Sequence, residues 1–211
     1  MSQRIVDLSL LMYHGMRGVE IYPNTSYDKE GFNTTKLHLY SHAATHMDAP
    51  RHFFNEGDTI ENWPLEKCIG PALVVDLSHK APNSLITTDD VSAYASKIGA
   101  GSRLLLRTDW HLHSEQADYR THFQRISAEL AEWLVARGVW LVGVEAPSVA
   151  SIQNYEELRT VHQILLGGKI VIVECLANMQ DLPEEVFFIA APLKIKEGDG
   201  TPVRAVAIVE Q

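Results

Sequence analysis

The segment His42-Ala43-Ala44-Thr45-His46-Met47-Asp48-Ala49-Pro50-Arg51-His52 places three imidazoles and a carboxylate at even-numbered positions. In an extended chain, side chains two, four and ten positions apart project to one face. A helix would scatter them at about 100° per residue, and Pro50 would interrupt it. A straight strand across all ten steps, at about 3.3 Å each, would hold the ends roughly 33 Å apart. The chain is therefore expected to turn near Ala49-Pro50, bringing His52 back over a site made by His42, His46 and Asp48.

Two imidazoles and a carboxylate form an N/O ligand set suited to a divalent cation, Zn2+ or Mn2+, with positions left open. An open site is what a catalytic metal needs to activate water and polarise a substrate oxygen. The alternative is a group of hydrogen-bonded or surface histidines. Ten histidines occur in the chain, and His38 extends the same cluster on its N-terminal side.

Two further residues carry potential chemistry. His162 lies on the apolar stripe of an expected helix, either as a satisfied core residue or as a ligand. Glu174 ends the apolar run Lys169-Ile170-Val171-Ile172-Val173, so it must emerge into a cleft or pair with a cation. Glu145 ends the run 139–144 in the same way, as a solvated strand end or as a member of the site. Tyr13, Phe53, Trp63 and Trp110 are candidates for an apolar pocket wall or for plain core packing.

The elements that must hold these residues follow from periodicity. β-branched, apolar runs of strand length occur at 4–8, 37–40, 72–77, 103–107, 139–144, 170–174, 186–190 and 203–209. Helical signals lie between some of them. Thr88 precedes Asp89 and Asp90 and an apolar spacing at Val91, Tyr94, Ala95 and Ile98, closed by Gly99. Ser127 can cap a helix carrying Leu130, Trp133 and Leu134, closed by Gly138. Asn154, with Glu157 three residues on, can cap a third helix with Leu158, Val161, His162 and Leu165 on one stripe. The pattern implies a mixed α/β or α+β fold whose sheet or barrel carries the core, with a long loop over 22–33.

Composition sets the outer bounds. A chain of 211 residues suits a single domain spanning 1–211. A net charge of -9 and no cluster of basic residues argue against nucleic acid, leaving a small molecule as the expected partner. No apolar tract is long enough to span a membrane, and the N-terminus lacks a signal-peptide core, so a cytoplasmic location is expected. Cys68 and Cys175 read as reduced core residues.

The segment 42–52 resembles the signature H-x-G-T-H-x-D-x-P-x-H of the cyclase family of metal-dependent hydrolases, which includes bacterial kynurenine formamidase and isatin hydrolase. The resemblance continues, in order, through 106–110, 143–149, 162–166 and 192–204. It implies that His42, His46 and Asp48 bind a first metal. It implies further that Asp48, His162 and Glu174 bind a second where two are present, and that His52 is the general acid/base. It also implies a swivelling β/β/α type of fold, a homo-oligomer (dimer or tetramer), and hydrolysis of a C–N bond in a small amide, aryl formamide or cyclic amide. A lactone hydrolase, a ring-closing enzyme or a metal-dependent binding protein without turnover would use the same residues. Serine or cysteine catalysis is disfavoured, because neither Ser148 nor Cys175 lies in a nucleophile-elbow sequence. The chain departs from the family at Ala44, where the family has glycine, at Glu145, usually aspartate, at Ala150, often acidic, and across 11–16.

Overall fold

A computed structural model describes residues 2–210. Its strands and helices, in chain order, are β1 (Gln3–Asp7), β2 (Val19–Thr25), α1 (Tyr27–Glu30), β3 (Thr34–Leu39), β4 (His46–Asp48), α2 (Leu65–Cys68), β5 (Ile69–Asp76) and β6 (Leu85–Ile86). They continue with β7 (Arg103–Arg107), β8 (Arg125–Ile126), α3 (Ala128–Ala136), β9 (Leu141–Val144), α4 (Tyr155–Gly167), β10 (Val171–Glu174), β11 (Glu185–Ile189), β12 (Gly200–Pro202) and β13 (Val206–Glu210). Nine strands form one mixed sheet in the order β1-β13-β11-β5-β7-β9-β10-β4-β12. The central strands β5, β7, β9 and β10 run parallel, and their near-continuous apolar sequences are those of strands covered on both faces.

Alternation along the strands divides the core in two. Leu104, Leu106 and Ile172 face a cluster completed by Leu130, Leu134, Val161 and Leu165 of α3 and α4. Leu105, Val171 and Val173 face the opposite cluster, with Met47, Phe188 and Ala207. The same period of two decides where the chemistry goes. Met47 faces away from the helices, so His46 and Asp48 face toward them, and Glu174 follows Ile172 to that same side.

Two of the three expected helices form with the expected caps. The Ser127 side chain accepts from Leu130 N–H, and that of Asn154 accepts from Glu157 N–H. The third is instead a short 3-10 segment, Asp89–Tyr94, and Thr88 makes no cap bond. There the Asp90 carboxylate accepts from the backbone N–H and hydroxyl of Thr87 and from Lys80. These bonds fold the turn back on itself before an α-helical ladder can start.

The long loop expected over 22–33 is a correction. Strands β2 and β3 pair antiparallel as a separate two-stranded hairpin with α1 at its tip, and every residue of β3 is exposed. β3 has no buried face, so only its end is announced, by the apolar run 37–40.

Candidate metal and catalytic site

The site forms where three strands meet under one helix. β4 lies between β10 and β12, with Glu174 and Pro202 directly opposite His46 and Ile172 and Gly200 opposite Asp48. The Trp63 indole N–H donates to the Asp48 carbonyl at 2.9 Å, and Ala49 N–H donates to the Asp199 carbonyl at 2.9 Å. The expected turn at Pro50 is a 3-10 segment, Pro50–His52. It carries His52 back over the cluster, stacked on His42 with ring centroids 3.9 Å apart. Only His46–Asp48 is true strand, and His42 comes from the turn before it. His162 descends from α4.

Tautomers are set by backbone carbonyls. His46 Nδ1 lies 2.8 Å from Ala44 O and His162 Nδ1 lies 2.7 Å from Leu158 O, so each Nδ1 carries the proton and each Nε2 is left facing the centre. His46 Nε2 approaches Glu174 Oε2 at 3.2 Å and Asp48 Oδ1 at 3.5 Å. His162 Nε2 lies 3.5 Å from Glu174 Oε1 and 3.8 Å from Asp48 Oδ2. His46 Nε2 and Asp48 Oδ2 are buried and make no hydrogen bond, and such orphans are costly unless something supplies a partner.

His42 differs. Its Nδ1 lies 2.8 Å from Asp48 Oδ1 and its Nε2 lies 2.9 Å from Asp199 Oδ2, so both nitrogens are already engaged by carboxylates. Among the described residues, two sets of three have donor atoms within 4.8 Å of one another: His42, Asp48 and His52, and His46, Asp48 and Glu174. Asp48 joins both. This grouping differs from the one the resemblance implies, in which His42 and His46 share an ion and His52 stands outside.

The charges compensate within the cluster. Burial alone would lower the His42 imidazole, but hydrogen bonds to Asp199 and Asp48 outweigh it and push it up to about 9. Burial likewise opposes charge on His46 and His162, yet Cys175, Glu174 and Asp48 raise the first and Glu174 and Asp48 raise the second. Burial would raise the Glu174 carboxyl, but the close approach of His162 and His46 holds it well below the usual range. Asp48 is also lowered, its burial and the nearby Glu174 charge being outweighed by His42 and His46. The His42 bond holds Asp199 well below that range as well. His52 alone shifts the other way: burial lowers it, with the like charges of His42 and His162 adding to the effect.

Two backbone features shape the centre. A Cβ on Gly200 would meet His42 Cε1 at 2.7 Å and Met47 O at 2.8 Å, so only glycine lets β12 pass under the ring. Ala44 adopts φ 52°, in the left-handed region that glycine occupies without strain, which matches the glycine of the family signature.

Over the centre opens a cleft of about 410 Å³, with Tyr40, Phe53, Ile152 and Leu158 among its walls and Arg17, Arg120 and Arg159 around it. Phe53 stacks on His162 at 4.4 Å. Tyr13 lines a smaller adjoining chamber, whereas Trp63 and Trp110 belong to the core. Glu145 is neither a solvated strand end nor a member of the cluster. Fully buried, it accepts from Thr108 N–H at 2.7 Å and Trp110 N–H at 3.2 Å and meets His111 Nδ1 at 2.7 Å. His38 is exposed on β3, away from the cleft. The residue that sequence reading missed is Asp199. It sits in the turn Glu197-Gly198-Asp199-Gly200, where an aspartate reads as turn chemistry, and its one signal was its place inside the resembling stretch 192–204.

Residues 6–151 match the family model described as "Putative cyclase". The kynurenine formamidase of Bacillus cereus is 32% identical over 184 residues, 86% of this chain and 84% of that protein. Isatin hydrolase A from Ralstonia solanacearum superimposes with a TM-score of 0.86 at 28% identity, covering 99% of this chain and 92% of that one. A structure described as a potential metal-dependent hydrolase with cyclase activity gives 0.82 at 25% identity over the full length of both. With its site assembled at the segment 42–52 and its fold shared end to end with these proteins, the chain belongs to the cyclase family of metal-dependent hydrolases.

Proposed function

We propose that this protein hydrolyses the C–N bond of a small amide, formamide or cyclic amide, using one or two divalent cations, Zn2+ or Mn2+. The observation that carries the reading is the pair of orphaned buried atoms, His46 Nε2 and Asp48 Oδ2, aimed at a common centre beside Glu174. An all-N/O set of imidazoles and carboxylates fits either ion. The resemblance would put His42, His46 and Asp48 on a first cation and Asp48, His162 and Glu174 on a second, while the geometry gathers Glu174 with His46 and Asp48. A cation there supplies a Lewis acid for the carbonyl oxygen and lowers the pKa of a water toward about 7.

The chain's own residues do the rest. His52, lowered by burial, is neutral near pH 7 and can accept a proton from the attacking water. As the C–N bond breaks it returns that proton to the departing nitrogen, leaving an amine and a carboxylic acid, which gives up the water's second proton to solvent at neutral pH. Asp199 Oδ2, 3.7 Å from His52 Nδ1, favours the charged ring in between. Tyr40, Phe53, Ile152 and Leu158 surround a bound amide and limit competing water.

Purified protein supplied with Zn2+ or Mn2+ is expected to retain stoichiometric metal and to hydrolyse members of a panel of formamides and cyclic amides. Chelation should abolish the activity. No retained metal, or turnover of lactones with none of amides, would end the reading.

The proposal includes one domain over 1–211, a cytoplasmic setting and a homo-oligomer. Free, buried Cys68 and Cys175 are consistent with a reducing compartment, and among the described residues no helix is long and apolar enough to cross a membrane. The β2–β3 hairpin supports oligomerisation, since it exposes Tyr22, Leu37 and Leu39 and an isolated two-stranded hairpin is marginal in water. Sedimentation equilibrium decides: a monomer at micromolar concentration would rule the oligomer out.

A further inference from the structure

Three arginines border the cleft, and they differ from every other arginine in the chain. Arg4, Arg51, Arg103 and Arg137 donate to backbone carbonyls. Arg107, Arg125 and Arg204 donate to the side chains of Asp109, Asn83 and Asp7. Arg17, Arg120 and Arg159 make no hydrogen bond or ion pair among the described residues, and all three line the cleft over the histidine cluster. Arg17 and Arg120 also line the adjoining chamber, whose wall shares His42 with the cleft.

Arg120 is the informative one. Arg17 and Arg159 are exposed, but Arg120 is half-buried and follows Tyr119, whose hydroxyl donates to Glu145 O at 3.0 Å and anchors the local backbone. Burial lowers the Arg120 guanidinium, and the like charge of Arg17 adds to the effect. Even so, a guanidinium remains charged at any pH the protein would meet. The nearby carboxylates are already matched: Glu174 faces His46 and His162, and Asp48 and Asp199 face His42. Glu174 offsets part of the burial cost at a distance, but a partly desolvated cation near a second cation, with no carboxylate bonded to it among the described residues, is unfavourable until an anion arrives. A planar carboxylate suits it, accepting two parallel N–H bonds from one guanidinium.

From these relations we infer that the amides this site hydrolyses carry a carboxylate, held by Arg120 and Arg17 while Arg159 closes from α4. This rests on the hydrolase reading above. It assigns the three arginines to substrate selection, apart from the histidines that surround the reacting bond. The cleft has the size of a small-molecule site.

The test uses full-length, metal-supplied protein and the matched substrates 4-formamidobenzoate and 4-formamidobenzamide, which differ in charge at nearly constant shape. Wild type should favour the anion by at least about tenfold in kcat/KM, chiefly through KM. Arg17→Gln and Arg120→Gln should each reduce that ratio about 10–100-fold, the usual worth of a charge-assisted bond, and Arg120→Lys should restore part of it. Arg17→Gln also guards against misfolding, because Arg17 is exposed. Calorimetric binding of benzoate needs no turnover and separates the two claims. If benzoate binding weakens at least about tenfold in Arg17→Gln and Arg120→Gln while no amide is hydrolysed, the arginine site stands and the hydrolase reading falls. If both formamides are hydrolysed with equal kcat/KM, or benzoate binding ignores both substitutions, the inference is overturned and the hydrolase reading is untouched.

Discussion

The His52 ring lies on the His42 ring, centroids 3.9 Å apart with 29° between the planes. Two imidazoles so placed cannot both be charged without repulsion. His42, bonded to two carboxylates, takes the proton, and His52, lowered by burial, is left to the base role the proposed mechanism gives it. His52→Ala should therefore leave metal content nearly unchanged while lowering kcat by about 10²–10⁴. His46→Ala should lose metal and activity together. Metal stoichiometry and kcat on both variants check the assignment: loss of metal in His52→Ala would make His52 a ligand, as its grouping with His42 and Asp48 permits.

Metal binding should depend steeply on pH. In the metal-free protein the His42 proton is held up to about pH 9, and a cation that recruits His42 must displace it. Apparent affinity should then fall about tenfold per pH unit below 9. Asp199→Asn removes the strongest support for that proton, so its affinity should vary less between pH 7 and 9. For the stability of the metal-free fold the sign reverses. A raised imidazole stabilises fully below its ordinary 6.5, and that contribution disappears as pH rises through about 9. Chelator competition at several pH values, with metal-free melting curves beside it, measures both.

Gly200 should tolerate no side chain. The clash of an added Cβ with His42 Cε1 and Met47 O involves backbone on one side and a bonded ring on the other, so neither yields easily. Gly200→Ala should cost about 1–3 kcal/mol and weaken metal retention by tilting His42. Gly99→Ala, where a Cβ would meet nothing within 4 Å, is the control and should stay within about 0.5 kcal/mol. Thermal melting and metal content on the pair would expose a general intolerance if the control failed as well.

Glu145 should matter to the fold more than its absence from the metal cluster suggests. Removing its carboxylate strands Thr108 N–H, Trp110 N–H and His111 at full burial. Glu145→Ala should cost about 3–5 kcal/mol. That corresponds to roughly 6–20 °C in Tm for a chain of this size. A loss under about 1 kcal/mol in denaturant unfolding would mean that the donors find other partners.

Legibility followed the physics of each region. Ser127 and Asn154 announced their helices because a cap and an apolar stripe agree there. Thr88 misled, since it makes no cap bond and Asp90 two residues on instead reaches back to the Thr87 N–H and hydroxyl and tightens the turn. His46 and Asp48 could be assigned to one face by parity alone, but only the register of β4 with β10 brings Glu174 opposite His46. Ala44 hides its left-handed backbone behind an ordinary residue type. Asp199 was out of reach because its partner His42 is 157 residues away, and no local period links them.

The placement of β4 between β10 and β12 also orders events in time. His42, His46 and Asp48 are synthesised early, but Glu174 arrives only with β10 and Asp199 only with the turn before β12. Contacts of such long sequence separation close late, after loop entropy has been overcome. During synthesis the early histidines can at most bind a cation weakly and in an open form, so full metal occupancy reports that the sheet has closed. Loss of the outermost strand should accordingly release the ion before the central parallel strands give way.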